Sequence, residues 1–416
     1  MLTISSVTRA THPHPVSCHD AATACSPPAE AAAAPPSTAR LAFFHAALYL
    51  LALAQGFHNP CSEAFGADQF APPSDPGARA SRSSYFNWYH FFNSCGYAIS
   101  NSALSYVEDS VSRTRVRRVL GHDGGVPPRL LARHGDVPRR ATRPRRRRHP
   151  RAARRVVLLG CACVDGESVW AQGRHLNRTL LPIWLTSIVF AAVVSQQSTL
   201  FTKQGSTMDR RVGGIVVPAA ALNCVVSFTM ITLVPVYDRA VVPLARRFTG
   251  HPAGVTTLQR VGAGMATSCL AMVVAALVEA RRLRAASDAS LVDRPGATVP
   301  MGVWWLVPQY LLVGLAKVFG DIGLDEFFYD QAPDGLRSVG LAMSLSVLGV
   351  GNYVSGVLVS VIDTATRSGG ESWFSDDLNR AHLDYFYWIL AAFAALEVVV
   401  FVYIAKRYIY KNKGEP

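Results

Sequence analysis

The sequence predicts an all-α protein that crosses a membrane several times, with about eight transmembrane helices. Half of the 416 residues are hydrophobic and only 17% are charged, whereas a soluble domain carries roughly 25% charged residues. Apolar runs recur along the chain, and from residue 180 onward each has about the 20 residues that a spanning helix needs. The net charge of +13 would otherwise suggest a nucleic-acid partner, but the arginine excess is concentrated in one tract.

Six apolar runs predict six consecutive spanning helices in the C-terminal part of the chain, residues 181–416. They occupy 181–201, 215–237, 259–280, 303–324, 337–362 and 384–409. Aromatic residues mark both ends of the last run and basic residues follow it, which indicates a cytosolic C-terminus. Arg281, Arg282 and Arg284 fall on the opposite side, so charge alone orients the helices weakly.

The N-terminal part of the chain is predicted to hold two more spanning helices, within residues 41–108. An apolar run begins at 41, and an aromatic, more polar run covers 85–107. The preceding residues 1–40 are rich in Ala, Pro, Ser and Thr, a composition typical of disorder.

Residues 109–180 contain a tract that is rich in Arg, Gly and Pro and has no Lys. One interpretation is a polybasic segment that binds anionic lipid or nucleic acid. The other is a disordered or out-of-frame linker, because a GC-rich exon translated in a shifted frame yields text of this kind. We favour the second interpretation, which predicts no nucleic-acid partner.

One apolar run carries charges at a regular spacing. Lys317, Asp321 and Asp325 recur every four residues and therefore lie on one face of a helix, while Glu326 points to the opposite face. A charge near the centre of a membrane helix costs roughly 2.5–3.5 kcal/mol on insertion scales, and such residues usually face a bundle interior or a water-filled path. The alternative without a functional role for these charges is a soluble amphipathic helix, but apolar residues surround the first half of this run on all sides.

The sequence shows no sign of catalytic or metal chemistry. The eight cysteines lack metal-ligand spacing, and His45, His58 and His90 lie in apolar surroundings where packing is the expected role. The sequence contains no phosphate-binding loop, nucleophile elbow or HExxH motif. We therefore expect no enzyme activity, no disulfide and no cofactor.

Several longer sequence motifs carry a family resemblance. They are AFGADQF (64–70), FNWYHFF (86–92), LPIW (181–184), STLFTKQGSTMDR (198–210), VYDR (236–239), LQRVGAG (258–264), EFFYDQAPDGLRS (326–338), GVGNYVSG (349–356) and SWFSDDLNRAHLDYFYW (372–388). In these motifs the chain resembles the plant nitrate/peptide transporter family, part of the proton-dependent oligopeptide transporters of the major facilitator superfamily. The resemblance covers about 41–108 and 180–410.

The resemblance implies an incomplete major facilitator fold. Members of the family have twelve helices in two six-helix halves around a central cavity. The two N-terminal runs resemble the fourth and fifth helices, and the six runs from 181 resemble a complete C-terminal six-helix half. The first three helices and the ExxER proton-coupling motif of the family are missing, so the chain resembles an N-terminally truncated member.

The resemblance also suggests cavity residues, although several family positions are altered. The family's lysine on the fourth helix reads Asn59 here, and its acidic partner on the tenth helix reads Lys317, for which an intrahelical pair with Asp321 is predicted. The nitrate-binding histidine position reads Val194, and the acid of some bacterial relatives reads Ser195. Further polar candidates for the cavity wall, or alternatively for hydrogen bonds between helices, are Gln196, Gln197, Thr199 and Asn223.

A second set of residues resembles the family's gating residues. Glu326 is expected to be structural or gating. Asp238, Arg239 and Arg260 resemble ion pairs of cytosolic loops that hold one state of the gate, with ordinary interfacial charge as the alternative.

The resemblance implies proton-coupled uptake of a small solute, either a peptide, nitrate or a plant metabolite, by alternating access. The expected partners are that solute, protons and the lipid bilayer of the plasma or vacuolar membrane. The alternatives are a transport-inactive truncated relative or gene-model fragment, and a basic lipid- or nucleic-acid-binding membrane protein. Neither the substrate nor the oligomeric state can be derived from the sequence.

Overall fold

The computed structural model describes residues 38–70, 76–119, 166–212, 215–249, 255–292, 294, 297–333, 336–367, 372–374 and 378–408. The α-helices are α1 (Thr38–Ala67), α2 (Pro76–Val119), α3 (Gly166–Val194), α4 (Leu200–Ser206), α5 (Asn223–Val236), α6 (Val242–Thr249), α7 (Thr257–Asp288), α8 (Val307–Gln331), α9 (Arg337–Arg367) and α10 (Leu383–Arg407). Four short strands accompany them: β1 (Met208–Asp209), β2 (Arg211–Val212), β3 (Ile215–Val216) and β4 (Val299–Gly302). The all-α prediction is confirmed.

Six of the described helical segments are long and apolar enough to cross a membrane. They are Leu180–Ser206, Ala219–Phe248, Thr257–Asp288, Val303–Gln331, Arg337–Arg367 and Leu383–Arg407. Each coincides with one of the six predicted C-terminal runs, and α1 and α2 form where the two N-terminal helices are predicted. The chain divides into two compact units, Met1–Gly66 and Ala67–Pro416, and α1 up to Gly66 belongs to the first.

Described helices extend into both ends of the linker that is predicted over 109–180. Helix α2 continues to Val119 and α3 begins at Gly166, because extending an existing helix adds one hydrogen bond per residue while a new nucleus is costly. The arginine tract itself, and the residues before 38, lie outside the described residues.

Local sequence signals explain several helix ends. The Thr256 hydroxyl accepts a hydrogen bond from the Gln259 backbone N–H, and the Gln259 side chain accepts one from the Thr256 N–H, which is a capping box at the start of α7. The same helix ends where Ser290 adopts a positive φ of 52°. Pro235 lies in the last turn of α5, and a π-helical turn, Tyr237–Val241, follows it.

Three helices of the second unit approach one another closely at Gly320 of α8. A Cβ added at Gly264 of α7 would lie 2.6 Å from the Gly320 Cα, and one added at Gly320 would lie 2.8 Å from Cε2 of Phe190 on α3. Small residues permit such close approach of membrane helices. Helices α3, α7 and α8 therefore meet at Gly320, next to the charged stripe of α8.

Candidate functional site

The charged stripe of α8 forms as predicted. Lys317 Nζ lies 2.7 Å from Asp321 Oδ2, with 19% of the lysine side chain exposed and 9% of the aspartate side chain. One turn further on, Asp325 Oδ2 lies 2.9 Å from Nε2 of His90 on α2. The Asp321 Oδ1 atom is buried and has no hydrogen-bond partner among the described residues. The stripe thus combines internal charge neutralisation with one oxygen that is still able to accept a hydrogen bond.

The four residues predicted to act in gating converge at one end of the bundle, where α5 and α8 end and α7 begins. Arg260 Nη1 lies 3.3 Å from Glu326 Oε2, and both side chains are nearly fully buried. Arg260 Nη2 also donates to Asn87 Oδ1 at 2.7 Å and to the Val318 carbonyl at 2.9 Å. The guanidinium lies 4.4 Å from the Tyr237 ring centroid. The pair therefore joins α7 to α8, and its hydrogen bond to Asn87 adds α2.

Asp238 joins α2 to the end of α5. Its carboxylate accepts hydrogen bonds from Ser84 Oγ at 2.9 Å, Asn87 Nδ2 at 3.0 Å and Trp88 Nε1 at 3.2 Å. The guanidinium of Arg239 lies 5.3 Å from the Trp88 ring centroid, within cation–π range. The prediction paired Asp238 with arginine, but its described partners are neutral donors, since three α2 side chains occupy its acceptor positions.

A further group of residues at this end was missed by sequence reasoning. Arg82 Nη1 lies 3.5 Å from Asp330 Oδ1, and the Tyr329 hydroxyl donates to Asp68 Oδ1 at 2.5 Å. Arg337 also contacts Asp68, at 3.1 Å. We call all these paired residues at this end the α2–α8 cluster: Asp68, Arg82, Ser84, Asn87, Trp88, Asp238, Arg239, Arg260, Glu326, Tyr329, Asp330 and Arg337. Many of its members lie inside the sequence motifs quoted above, so membership of a motif was the sequence signal that could have identified them.

The predicted polar wall residues separate into two kinds. Gln196 is buried and donates from Nε2 to Ser355 Oγ on α9 at 2.7 Å and to the Ala192 carbonyl at 2.7 Å. Thr199 is exposed and donates to the Ser195 carbonyl at 3.3 Å. Gln196 therefore makes an interhelical hydrogen bond, which was the alternative role left open for it.

Gln197 and Asn223 belong to a different polar group, near the start of α8. Asn223 Nδ2 donates to Thr202 Oγ1 at 3.4 Å, and the Tyr310 hydroxyl donates to the Gln197 carbonyl at 3.5 Å. Nearby, Gln309 Nε2 donates to Gln204 Oε1 at 3.1 Å. Four amide atoms of this group are buried without a hydrogen-bond partner among the described residues: Gln197 Oε1, Asn223 Oδ1, Gln204 Nε2 and Gln309 Oε1. We call these four amide side chains the amide group.

The far end of α7 carries a second buried ion pair. Arg282 contacts both carboxylate oxygens of Glu279, at 2.9 and 2.7 Å, and donates to Asn379 Oδ1 and the Leu378 carbonyl. Arg281 stacks 3.9 Å from the Trp305 ring centroid. These two arginines are held by partners within the fold, which explains why they are a poor guide to orientation. Arg260 and Arg282, 22 residues apart, are separated by about 33 Å of helix, close to the hydrocarbon thickness of a bilayer.

Asn59 lies on α1, directly before Pro60 within that helix. It belongs to the first unit and is described there alone.

The fold and these pairs define an integral, multi-pass membrane protein whose charged residues are largely neutralised inside a helical bundle. A model of the POT family, PTR2, matches residues 1–115 and 171–374. The Arabidopsis thaliana proteins NRT1/PTR family 5.12 and 5.10 are 41% and 42% identical over 411 and 417 residues. These alignments cover 90% and 89% of this chain and 74% and 73% of the relatives.

The chain belongs to the POT family, and the family resemblance predicted from the sequence motifs is confirmed. The family is one of membrane transporters. Among solved structures, an auto-inhibited POT family peptide transporter matches with a TM-score of 0.44 and 24% identity, over 57% of this chain and 43% of that one. The family match passes over residues 116–170, where the arginine tract lies.

Proposed function

We propose that the chain moves a small solute, a peptide, nitrate or plant metabolite, together with protons by alternating access across the plasma or vacuolar membrane. Family membership supports transport as the general activity. The observation that carries the proposal is the convergence of Glu326, Asp238, Arg239 and Arg260 on one end of the bundle. A gate requires charged contacts that several helices share and that one movement can break.

The α2–α8 cluster would hold that end closed. Arg260 is the central residue, because its guanidinium contacts Glu326, Asn87 and the Val318 carbonyl. Moving α2 away from α7 would break the hydrogen bond between Arg260 and Asn87. The same movement would remove from Asp238 the three hydrogen-bond donors that α2 supplies. The remaining Arg260–Glu326 pair would then be exposed to water, which weakens it.

The solute would contact the stripe of α8 and the amide group. Asp321 Oδ1 and the four unpartnered amide atoms are among the described groups that are able to accept or donate further hydrogen bonds. Buried polar atoms without partners are costly, and a polar solute would satisfy them. Lys317, Asp321, Gln197 and Asn223 are therefore assigned to solute binding, and Gln196 to helix packing. Thr199 is added to the proposed cavity wall on the family resemblance alone.

Uptake in oocytes tests the proposal. Oocytes expressing the full chain would be offered labelled dipeptides, nitrate and plant metabolites at acidic and at neutral external pH. We expect accumulation of at least one solute, greater at acidic pH, and its loss in Arg260→Ala. Arg246→Ala, on the exposed surface of α6, is the matched control and should retain uptake. Correct surface expression with no accumulation of any solute would contradict the proposal.

A transport-inactive relative is the second candidate. The observation in its favour is that residues 116–170 have no counterpart in the family match. This candidate predicts normal membrane insertion with no uptake, and it predicts that Arg260→Ala changes stability alone. The transcript reading frame across residues 108–180 distinguishes a real insertion from a frame error.

A further inference from the structure

Glu397 is a buried carboxylate near the middle of α10 that the proposed gate and cavity do not use. It is 5% exposed and lies 14 residues from the start and 10 residues from the end of the helix, about 15–21 Å from either end. Its Oε1 accepts a hydrogen bond from the Phe190 backbone N–H of α3 at 2.9 Å. Its Oε2 is buried and has no hydrogen-bond partner among the described residues.

The other buried carboxylates of the second unit each face a basic side chain. Glu279 faces Arg282, Glu326 faces Arg260, Asp321 faces Lys317 and Asp325 faces His90. Within the described part of the chain, no basic side chain lies within ion-pair distance of Glu397. An uncompensated charge at the bilayer centre costs several kcal/mol. The Glu397 side chain at this position is therefore more stable as the neutral carboxylic acid than as the carboxylate.

The helices packed against α10 offer little to change this. From α7, the titratable group that faces Glu397 is Cys269, whose thiol donates to the Ala391 carbonyl at 3.5 Å. The described side chains of α3, from Leu180 to Val194, include no titratable group. A neutral thiol and apolar side chains cannot stabilise a carboxylate as a cation does.

The main chain of α3 connects Glu397 to the stripe of α8. Phe190 supplies the N–H that Glu397 binds, and its ring packs against Gly320, directly before Asp321. A shift of α3 at Phe190 is therefore transmitted to the residues around the Lys317–Asp321 pair.

We propose that Glu397 is a proton-binding site of the six-helix bundle, with the proton carried on Oε2. Losing that proton to water places a bare carboxylate between α3 and α10, which favours separation of the two helices and entry of water. The proton site stands independently of transport, whereas its use in proton coupling rests on the proposed function.

Difference infrared spectroscopy of the purified full chain in lipid nanodiscs tests the site. We expect the C=O stretch of a protonated carboxylic acid at neutral pH, shifted in D₂O, and missing from Glu397→Gln. Identical carboxylic-acid bands in the wild type and Glu397→Gln across the accessible pH range would overturn the proposal, because the Glu397 carboxyl would then be ionised.

Thermal stability at neutral pH provides a second measurement that does not depend on transport. Glu397→Gln mimics the protonated acid and keeps an oxygen for the Phe190 N–H, so we expect a melting temperature close to that of the wild type. Glu279→Gln, an equally buried carboxylate that faces Arg282, should be clearly less stable. Equal destabilisation by the two substitutions would show that Glu397 is charged and paired. An inactive wild type with the infrared band intact would reject the proposed transport and retain the proton site.

Discussion

Arg260 at the start of α7 and Glu326 near the end of α8 form an ion pair 3.3 Å long that is almost completely shielded from solvent. The two residues are 66 positions apart in the chain, and each lies on a helix that spans the membrane. The pair brings the ends of α7 and α8 into register at one face of the bundle. Its position and burial make it the most informative place to perturb the protein.

Substituting one member of this pair should be far more harmful than substituting both. Arg260→Ala or Glu326→Ala leaves a buried charge unpaired, which costs about 3–5 kcal/mol, so we expect low yield and a lowered melting temperature in detergent. The double variant should recover part of that loss. Fluorescence-detected size-exclusion chromatography over a temperature series measures all three. Additive losses in the double variant would show that the two side chains do not stabilise each other.

Lys317 should be needed chiefly to neutralise Asp321. Lys317→Ala leaves that carboxylate in the span without its 2.7 Å partner, and an uncompensated charge there costs roughly 2.5–3.5 kcal/mol. We expect reduced surface expression and reduced uptake, with expression restored in Lys317→Ala/Asp321→Asn. Surface biotinylation together with uptake separates the two effects. If Lys317→Ala leaves both expression and uptake unchanged, the assigned role of the pair is wrong.

Gly320 should tolerate no side chain. Gly320→Ala places a methyl group 2.8 Å from a ring carbon of Phe190, and overpacking of this kind costs about 1–3 kcal/mol. The matched control is Gly349→Ala on α9, where the added Cβ meets no atom within 4 Å apart from the adjoining backbone of its own helix. We expect a clear fall in melting temperature for the first variant and none for the second. Similar melting temperatures for both would contradict the close approach of α3 and α8.

Deleting residues 120–165 should leave membrane insertion intact. The six spans lie between Leu180 and Arg407, and the apolar content that drives their insertion is unaffected by the deletion. Alkaline extraction of membranes should recover the shortened and full-length chains in the same fraction. Loss of the shortened chain from membranes would favour the interpretation of the tract as a basic lipid-binding element.

The predictions made from short-range pattern agree with the structure. A run of about 20 apolar residues specifies a spanning helix by itself, so each of the six predicted C-terminal runs overlaps one observed spanning segment. The same holds for Lys317 and Asp321, because a spacing of four residues places two side chains together on any α-helix. Described helices α2 and α3 reach into the two ends of the predicted 109–180 linker, where the polar sequence carries no apolar signal.

The partners of the buried polar residues could not be predicted in the same way. Asp238 was expected to pair with arginine, yet it accepts hydrogen bonds from Ser84, Asn87 and Trp88, about 150 positions away in the chain. Gln196 and Gln197 are neighbours in the sequence, but one bonds Ser355 on α9 while the other has a buried Oε1 atom without a described partner. Neither outcome is visible in the residue types.

The sequence alone therefore determined the class of protein, the family, the membrane spans and the charged stripe of α8. These follow from composition, from periodicity and from sequence motifs, each of which is confined to a short stretch of the chain. Only the tertiary structure decided which buried charges are paired between different helices, because a partner across the bundle depends on how separate helices pack. It is this packing that surrounds Arg260 and Arg282 with partners and leaves Glu397 facing a backbone N–H.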